Sequence, residues 1–161
     1  MTRAWLSLGS NIEPVKHLRA ALMVLHQRFG SFDQSPTYRF PAVGFEGAEF
    51  LNLVVGIDTD MDAAALNDWL HALEDRLGRR RDVPRFSSRT LDIDIVLYGD
   101  RVLKDANNLE IPRPELKHAF VLKPLADIAP RAMHPVLGKT IFELWREHPA
   151  HAEEFERVAL R

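Results

Sequence analysis

Residues 87–100 read Ser-Ser-Arg-Thr-Leu-Asp-Ile-Asp-Ile-Val-Leu-Tyr-Gly-Asp. The run 91–98 is rich in Leu, Ile and Val and stops at the turn signal Gly99-Asp100, which predicts a strand. Successive side chains of a strand point to opposite faces. Leu91, Ile93, Ile95 and Leu97 therefore share one face, while Asp92 and Asp94 share the other. Charges without partners are costly in a core. Covering helices belong on the aliphatic face, and the aspartates belong on the face left uncovered.

Working outward, a basic loop over residues 79–89 (RRRDVPRFSSR) precedes that strand. Before the loop, Leu66, Leu70, Leu73 and Leu77 form a helical stripe, with Asp62 placed to cap it and Gly78 to stop it. Residues 49–57 (EFLNLVVGI) predict a strand with Leu51, Leu53, Val55 and Ile57 on one face and Phe50, Asn52 and Val54 on the other. Residues 4–8 and 31–40 predict two more strands. Between them Val15, Leu18, Leu22, Leu25 and Phe29 mark an amphipathic helix, with Asn11 as its cap and Pro14 in its first turn. Beyond residue 100 we expect a hairpin near 101–111, a Pro-punctuated segment to Pro135, a helix around 140–147 and a last strand at 155–160. The order β-α-β-β-α-β predicts an α+β, ferredoxin-like α/β sandwich, its mostly antiparallel sheet carrying helices mainly on one face.

The 161 residues fit a single domain over 1–161. A net charge of −2 provides no global field for nucleic acid or anionic membrane. The chain has no cysteine, so disulfides and thiolate metal sites are excluded. No apolar run approaches the ~20 residues of a membrane span, and the first residues lack a signal-peptide core. The expectation is a soluble cytoplasmic monomer, with no membrane and no nucleic-acid partner. An exposed sheet with aromatics can stack RNA bases, but paired carboxylates on that face repel phosphate unless a metal intervenes.

Carboxylates on alternate strand residues stand about 7 Å apart at the backbone. Mg²⁺ takes one or two carboxylates and completes its shell with substrate phosphates. Arg79, Arg80, Arg81 and Arg85 occupy the preceding loop, and Arg89 stands just before the strand. Guanidinium groups beside metal-holding carboxylates are a way to grip a polyphosphate. Arg79 and Arg89, which bracket the loop, are the expected phosphate contacts, whereas Arg80 and Arg81 read as solvated. Phe50 and Asn52 offer a stacking and hydrogen-bonding surface to a flat heterocycle, with Phe120 as a second wall. Asn52, an amide inside an apolar strand, needs a partner. Glu74, at the edge of its helix stripe, reads as a solvated carboxylate.

These residues carry a family likeness. LSLGSN at 6–11, FLN at 50–52, LEDRLGR at 73–79, RTLDIDIVLYG at 89–99, IP at 111–112 and FVLKPLADIAP at 120–130 stand in the order and spacing of the 6-hydroxymethyl-7,8-dihydropterin pyrophosphokinases. The chain resembles that family along nearly its whole length. The resemblance implies transfer of pyrophosphate from ATP, the co-substrate, to 6-hydroxymethyl-7,8-dihydropterin, in folate biosynthesis. By position it implies that Asp92 and Asp94 ligate two Mg²⁺ ions and that Phe50, Asn52, Phe120 and Val43 bind the pterin. It puts Arg79, Arg89 and Asp94 at the catalytic centre, and Glu74, Phe86, Arg113 and Lys117 at the nucleotide. The chain also departs from the family. Arg113-Pro114 stands where the family usually has His followed by Pro or Tyr, the segment 112–120 is about one residue short, Asp82 stands where a Lys is frequent, and Phe40 where Thr or a small residue is common. A diverged paralogue that binds nucleotide or pterin with weak or altered activity is the alternative.

Overall fold

The computed structural model describes residues 1–42, 46–78, 90–105 and 107–160. The first half holds β1 (Thr2–Ser10), α1 (Pro14–Phe29), β2 (Asp33–Gln34), β3 (Tyr38–Phe40), β4 (Phe50–Thr59) and α2 (Ala63–Arg76). After it come β5 (Asp92–Tyr98), β6 (Leu103–Lys104), β7 (Glu110–Ile111), α3 (Ala119–Ile128) and α4 (Ile141–Arg146). The main sheet runs β2-β4-β1-β5, with β3 also on β4, and every pairing is antiparallel. This is the expected α+β sandwich. No helix among the described residues is long and apolar enough to cross a membrane.

On one face Leu6 and Leu8 of β1, Leu53 and Val55 of β4, and Ile93 and Ile95 of β5 meet the buried leucines of α1 and α2. Burying each leucine is worth roughly 1.5–3 kcal/mol, which is why two amphipathic helices suffice to seal this face. Asp62 caps α2 as its spacing predicts, Oδ1 accepting from the Ala65 N–H at 2.8 Å. Asn11 does not cap α1. Glu13 is the cap residue, in a left-handed conformation with Pro14 following, and Asn11 Nδ2 donates instead to the Ala48 carbonyl at 2.9 Å.

Three expectations change on the other face. The segment after Pro112 contains a helix, α3, which lies across β4 with Val121, Leu122 and Leu125 against Val54, Val96 and Leu97. Pro124 sits inside α3 and removes one rung of its ladder, which is what hid the helical spacing. Leu97 therefore does not share a face with Ile95. The β1–β5 register slips between Trp5 and Leu6, so that Ile95 faces Leu6 while Leu97 faces Trp5, and this bulge at Val96 turns Leu97 toward α3. Residues 155–160 form no strand. Arg157 makes an isolated bridge to Tyr38, and the Val158 N–H donates to the Thr37 carbonyl at 2.9 Å. The expected strand over 31–40 is divided into β2 and β3, whereas the hairpin β6–β7 and helix α4, with Thr140 as its cap, stand where they are expected.

Candidate active site

The second apolar cluster stops short of the end of the sheet that carries the polar residues. There the register makes two rows: Asn52, Gly9 and Asp92 across β4, β1 and β5, and next to it Val54, Ser7 and Asp94. Strands lie about 4.8 Å apart, so Asn52 and Asp92 face each other over roughly 10 Å with only a glycine between them. The missing side chain is used. A Cβ at Gly9 would lie 2.5 Å from Asn52 Nδ2, so the amide rests over the glycine where any other residue would displace it. Asn52 is 5% exposed, and its Oδ1 is without a hydrogen-bond partner. A buried acceptor left open wants a donor. Phe50, on the same face of β4, is half-buried beside it.

Asp94 meets Arg113, whose Nη2 lies 3.3 Å from Oδ1, with side chains 18% and 28% exposed respectively. Arg113 also pairs through Nε with Glu115 at 3.0 Å. Its place is set by the backbone, because the Arg113 N–H donates to the Val96 carbonyl at 3.0 Å and ties the segment after β7 to the edge of β5. Burial, followed by the neighbouring charge of Asp92, pushes the Asp94 carboxyl well above the ordinary carboxylate range, and Arg113 opposes them. Burial pulls Arg113 down, but Asp94, Glu115, Asp92 and Glu74 outweigh it and keep the guanidinium charged. Among the described residues this cluster holds those four carboxylates against one guanidinium, so it is short of positive charge.

Glu74 corrects the sequence reading most sharply. It is not solvated: it is 1% exposed, and its Oε2 accepts from the Ile93 N–H at 2.9 Å. Its carboxylate faces β5 and not solvent. Lys117 ends a short 3-10 turn (Pro114–Lys117) and shares with Arg113, Ile111, Leu116, Leu122 and Leu144 the wall of a cavity of about 630 Å³. Phe120 opens α3 and stacks on His118 with ring centroids 5.1 Å apart. Burial and the Lys117 charge hold His118 below the ordinary imidazole range. The structure thus gathers Asn52, Asp92, Asp94 and Arg113 on one end of the sheet, with Phe50 beside them. Val43, Arg79, Phe86 and Arg89 lie outside the described residues.

Sequence reasoning missed Gly9 and Glu115. Gly9 stands inside the quoted LSLGSN stretch, yet its value comes from being cross-strand to both Asn52 and Asp92, a pairing no local signal gives. Metal chemistry fits the donor set in one specific form. Among the described residues no three of these side chains stand so that they could hold an ion between them, and two carboxylates suit an ion that shares its shell with phosphate oxygens rather than one caged by protein.

Fold and site together define a class: an α+β sandwich with an acidic, arginine-tied group of side chains at one end of a sheet face. Comparison with known proteins narrows it. Residues 5–130 match the model of the family described as 7,8-dihydro-6-hydroxymethylpterin-pyrophosphokinase (HPPK), and the chain belongs to that family. The 2-amino-4-hydroxy-6-hydroxymethyldihydropteridine pyrophosphokinase of Synechocystis is 38% identical over 88% of this chain and 73% of its own. The protein of that name from Pseudomonas aeruginosa is 37% identical over 80% of this chain and 81% of its own. Among solved structures, Plasmodium falciparum HPPK-DHPS with SDX-DHP superposes with a TM-score of 0.74 at 17% identity, over 98% of this chain and 47% of that one. At that identity the likeness speaks for the fold, and this chain spans less than half of the longer protein.

Proposed function

We propose that the chain transfers the terminal pyrophosphate of ATP to the 6-hydroxymethyl oxygen of 6-hydroxymethyl-7,8-dihydropterin, giving the pterin diphosphate and AMP. One observation carries the reading: the adjacent rows Asn52–Gly9–Asp92 and Val54–Ser7–Asp94 set an open, buried hydrogen-bond acceptor and a carboxylate pair on one sheet face. A flat heterocycle with N–H groups suits the Asn52 end beside Phe50, with Phe120 and Val43 completing its walls. The phosphates then run toward Asp92 and Asp94. Those two residues would hold Mg²⁺, with two ions expected, and the metal would supply charge neutralisation to the phosphates. Arg79 and Arg89 stabilise the transferring group, while Arg113, Lys117 and Phe86 contact the nucleotide.

The protein's own share is positioning and charge neutralisation. Asn52 and the aromatic rings orient the pterin, Asp94 and Asp92 seat the metal-bound phosphates, and Arg113 releases Asp94 to do so. The relatives carry the enzyme's name, which favours this reading over a diverged, weakly active paralogue. A cytoplasmic monomer that works without nucleic acid goes with it.

The test is AMP release from ATP in the presence of the pterin and Mg²⁺. The wild-type protein turns over, and Asp94→Ala loses about 10²–10³-fold, as expected when a group stabilising the transferring charge is removed. Turnover with the divalent ion chelated, or full activity in the Asp94 variant, would contradict the assignment.

A further inference from the structure

We infer that Glu74 is a positioning residue: from α2 it holds the Asp92–Ile93 peptide of β5, and through that peptide it sets the aim of Asp92 and Asp94. The inference rests on the reading above that those two carboxylates seat the metal-bound phosphates.

Its starting point is a carboxylate in an unfavourable place. Glu74 continues the buried line of Leu66, Leu70 and Leu73 and is itself 1% exposed. A leucine there would add to the core, whereas a carboxylate costs free energy unless hydrogen bonds compensate it. The compensation is specific. β5 ends the strand order β2-β4-β1-β5, so N–H groups on its outer side have no strand partner among the described residues. Glu74 Oε2 takes one of them, the Ile93 N–H, at 2.9 Å in a bond strengthened by its charge.

That amide belongs to the peptide directly after Asp92 and directly before the residue that leads to Asp94. Further along the same edge, the Val96 carbonyl accepts from the Arg113 N–H at 3.0 Å. Asp94 is therefore held between two clamps, a side-chain acceptor on its N-terminal side and a main-chain donor on its C-terminal side. An edge strand without them would be able to twist and turn the carboxylates apart. Groups behind the ligands are known to govern metal affinity by orienting the ligands, with losses of about 10–100-fold when they are removed.

Position and charge separate cleanly in two variants. Glu74→Gln removes the charge but keeps an acceptor oxygen at the right reach, and Glu74→Asp keeps the charge but is too short by a methylene. The readout is Mn²⁺ affinity in the presence of a non-hydrolysable ATP analogue, by electron paramagnetic resonance well below the melting temperature. Hydrogen exchange of the Ile93 amide is followed alongside. E74D is expected to weaken Mn²⁺ binding about 10-fold or more and to speed Ile93 exchange. E74Q is expected to stay within about 3-fold of wild type with the amide still protected, since the orienting bond survives. Loss of affinity in E74Q equal to that in E74D would overturn the inference in favour of a purely electrostatic role. Unchanged affinity in E74D would overturn it as well. Asp94→Ala serves as the control, because retention of Mn²⁺ in that variant strikes at the metal-site reading itself and not at Glu74.

Discussion

Asp94 is held at some cost to the fold. Burial and the adjacent Asp92 charge raise its carboxyl well above the ordinary 3.8, and Arg113 offsets this only in part. A carboxylate whose value is raised on folding contributes stability that is complete below its unfolded value and is lost as pH rises through the folded one. Asp94→Asn should therefore raise the melting temperature near neutral pH, by roughly 2–4 °C for a gain of about 1 kcal/mol. The advantage should shrink as pH falls toward the ordinary carboxylate range. Scanning calorimetry of both proteins across that window checks the sign, and an equal or lower melting temperature for the variant at neutral pH would refute it. Sites commonly trade stability for function in this way. Arg113 belongs to the same balance: its guanidinium lies 3.3 Å from Asp94 and stays charged among the surrounding carboxylates.

At the scale of elements, local chemistry decided more than packing did for α2. Asp62 caps it, and the leucine stripe then delivers Glu74 to the edge of β5. Asp62→Ala should cost about 1 kcal/mol, measured as a lower urea midpoint with an unchanged slope. The elements least legible in the sequence were those whose form depends on a neighbour. α3 was hidden by Pro124, although Val121, Leu122 and Leu125 have helical spacing. The bulge at Val96 arises where β5 must turn Leu97 toward α3, and nothing in the run Ile95-Val96-Leu97 marks it. Helix α4 stood near its expected 140–147, and the structure adds its capping box, Thr140 with Glu143, both halves lying within one turn.

For the whole molecule, the two apolar clusters share the same strands, since Val54 faces α3 while Val55 faces α1 and α2. The two layers should therefore unfold together. The tryptophans make this measurable: Trp69 packs against the first cluster, and Trp5 and Trp145 pack against the second. Leu125→Ala, buried in the second cluster, should cost about 2–5 kcal/mol. It should shift the urea transition reported by Trp69 alone as far as the one reported by Trp145 alone. Separate midpoints would mean that α3 and α4 form an independent layer.

The amino-acid order by itself determined the periods: which residues alternate in β4 and β5, which leucines line α1 and α2, and hence that Asp92 and Asp94 leave the strand on the same side. Those patterns are local, because backbone geometry repeats every few residues whatever lies nearby. Only the tertiary structure decided that Gly9 stands between Asn52 and Asp92, that Arg113 reaches Asp94, and that Glu74 is buried on the Ile93 amide. Each of these is a contact between residues far apart in the chain. Its existence depends on strand register and helix packing, which minimise the free energy of the whole fold and leave no mark on any single segment.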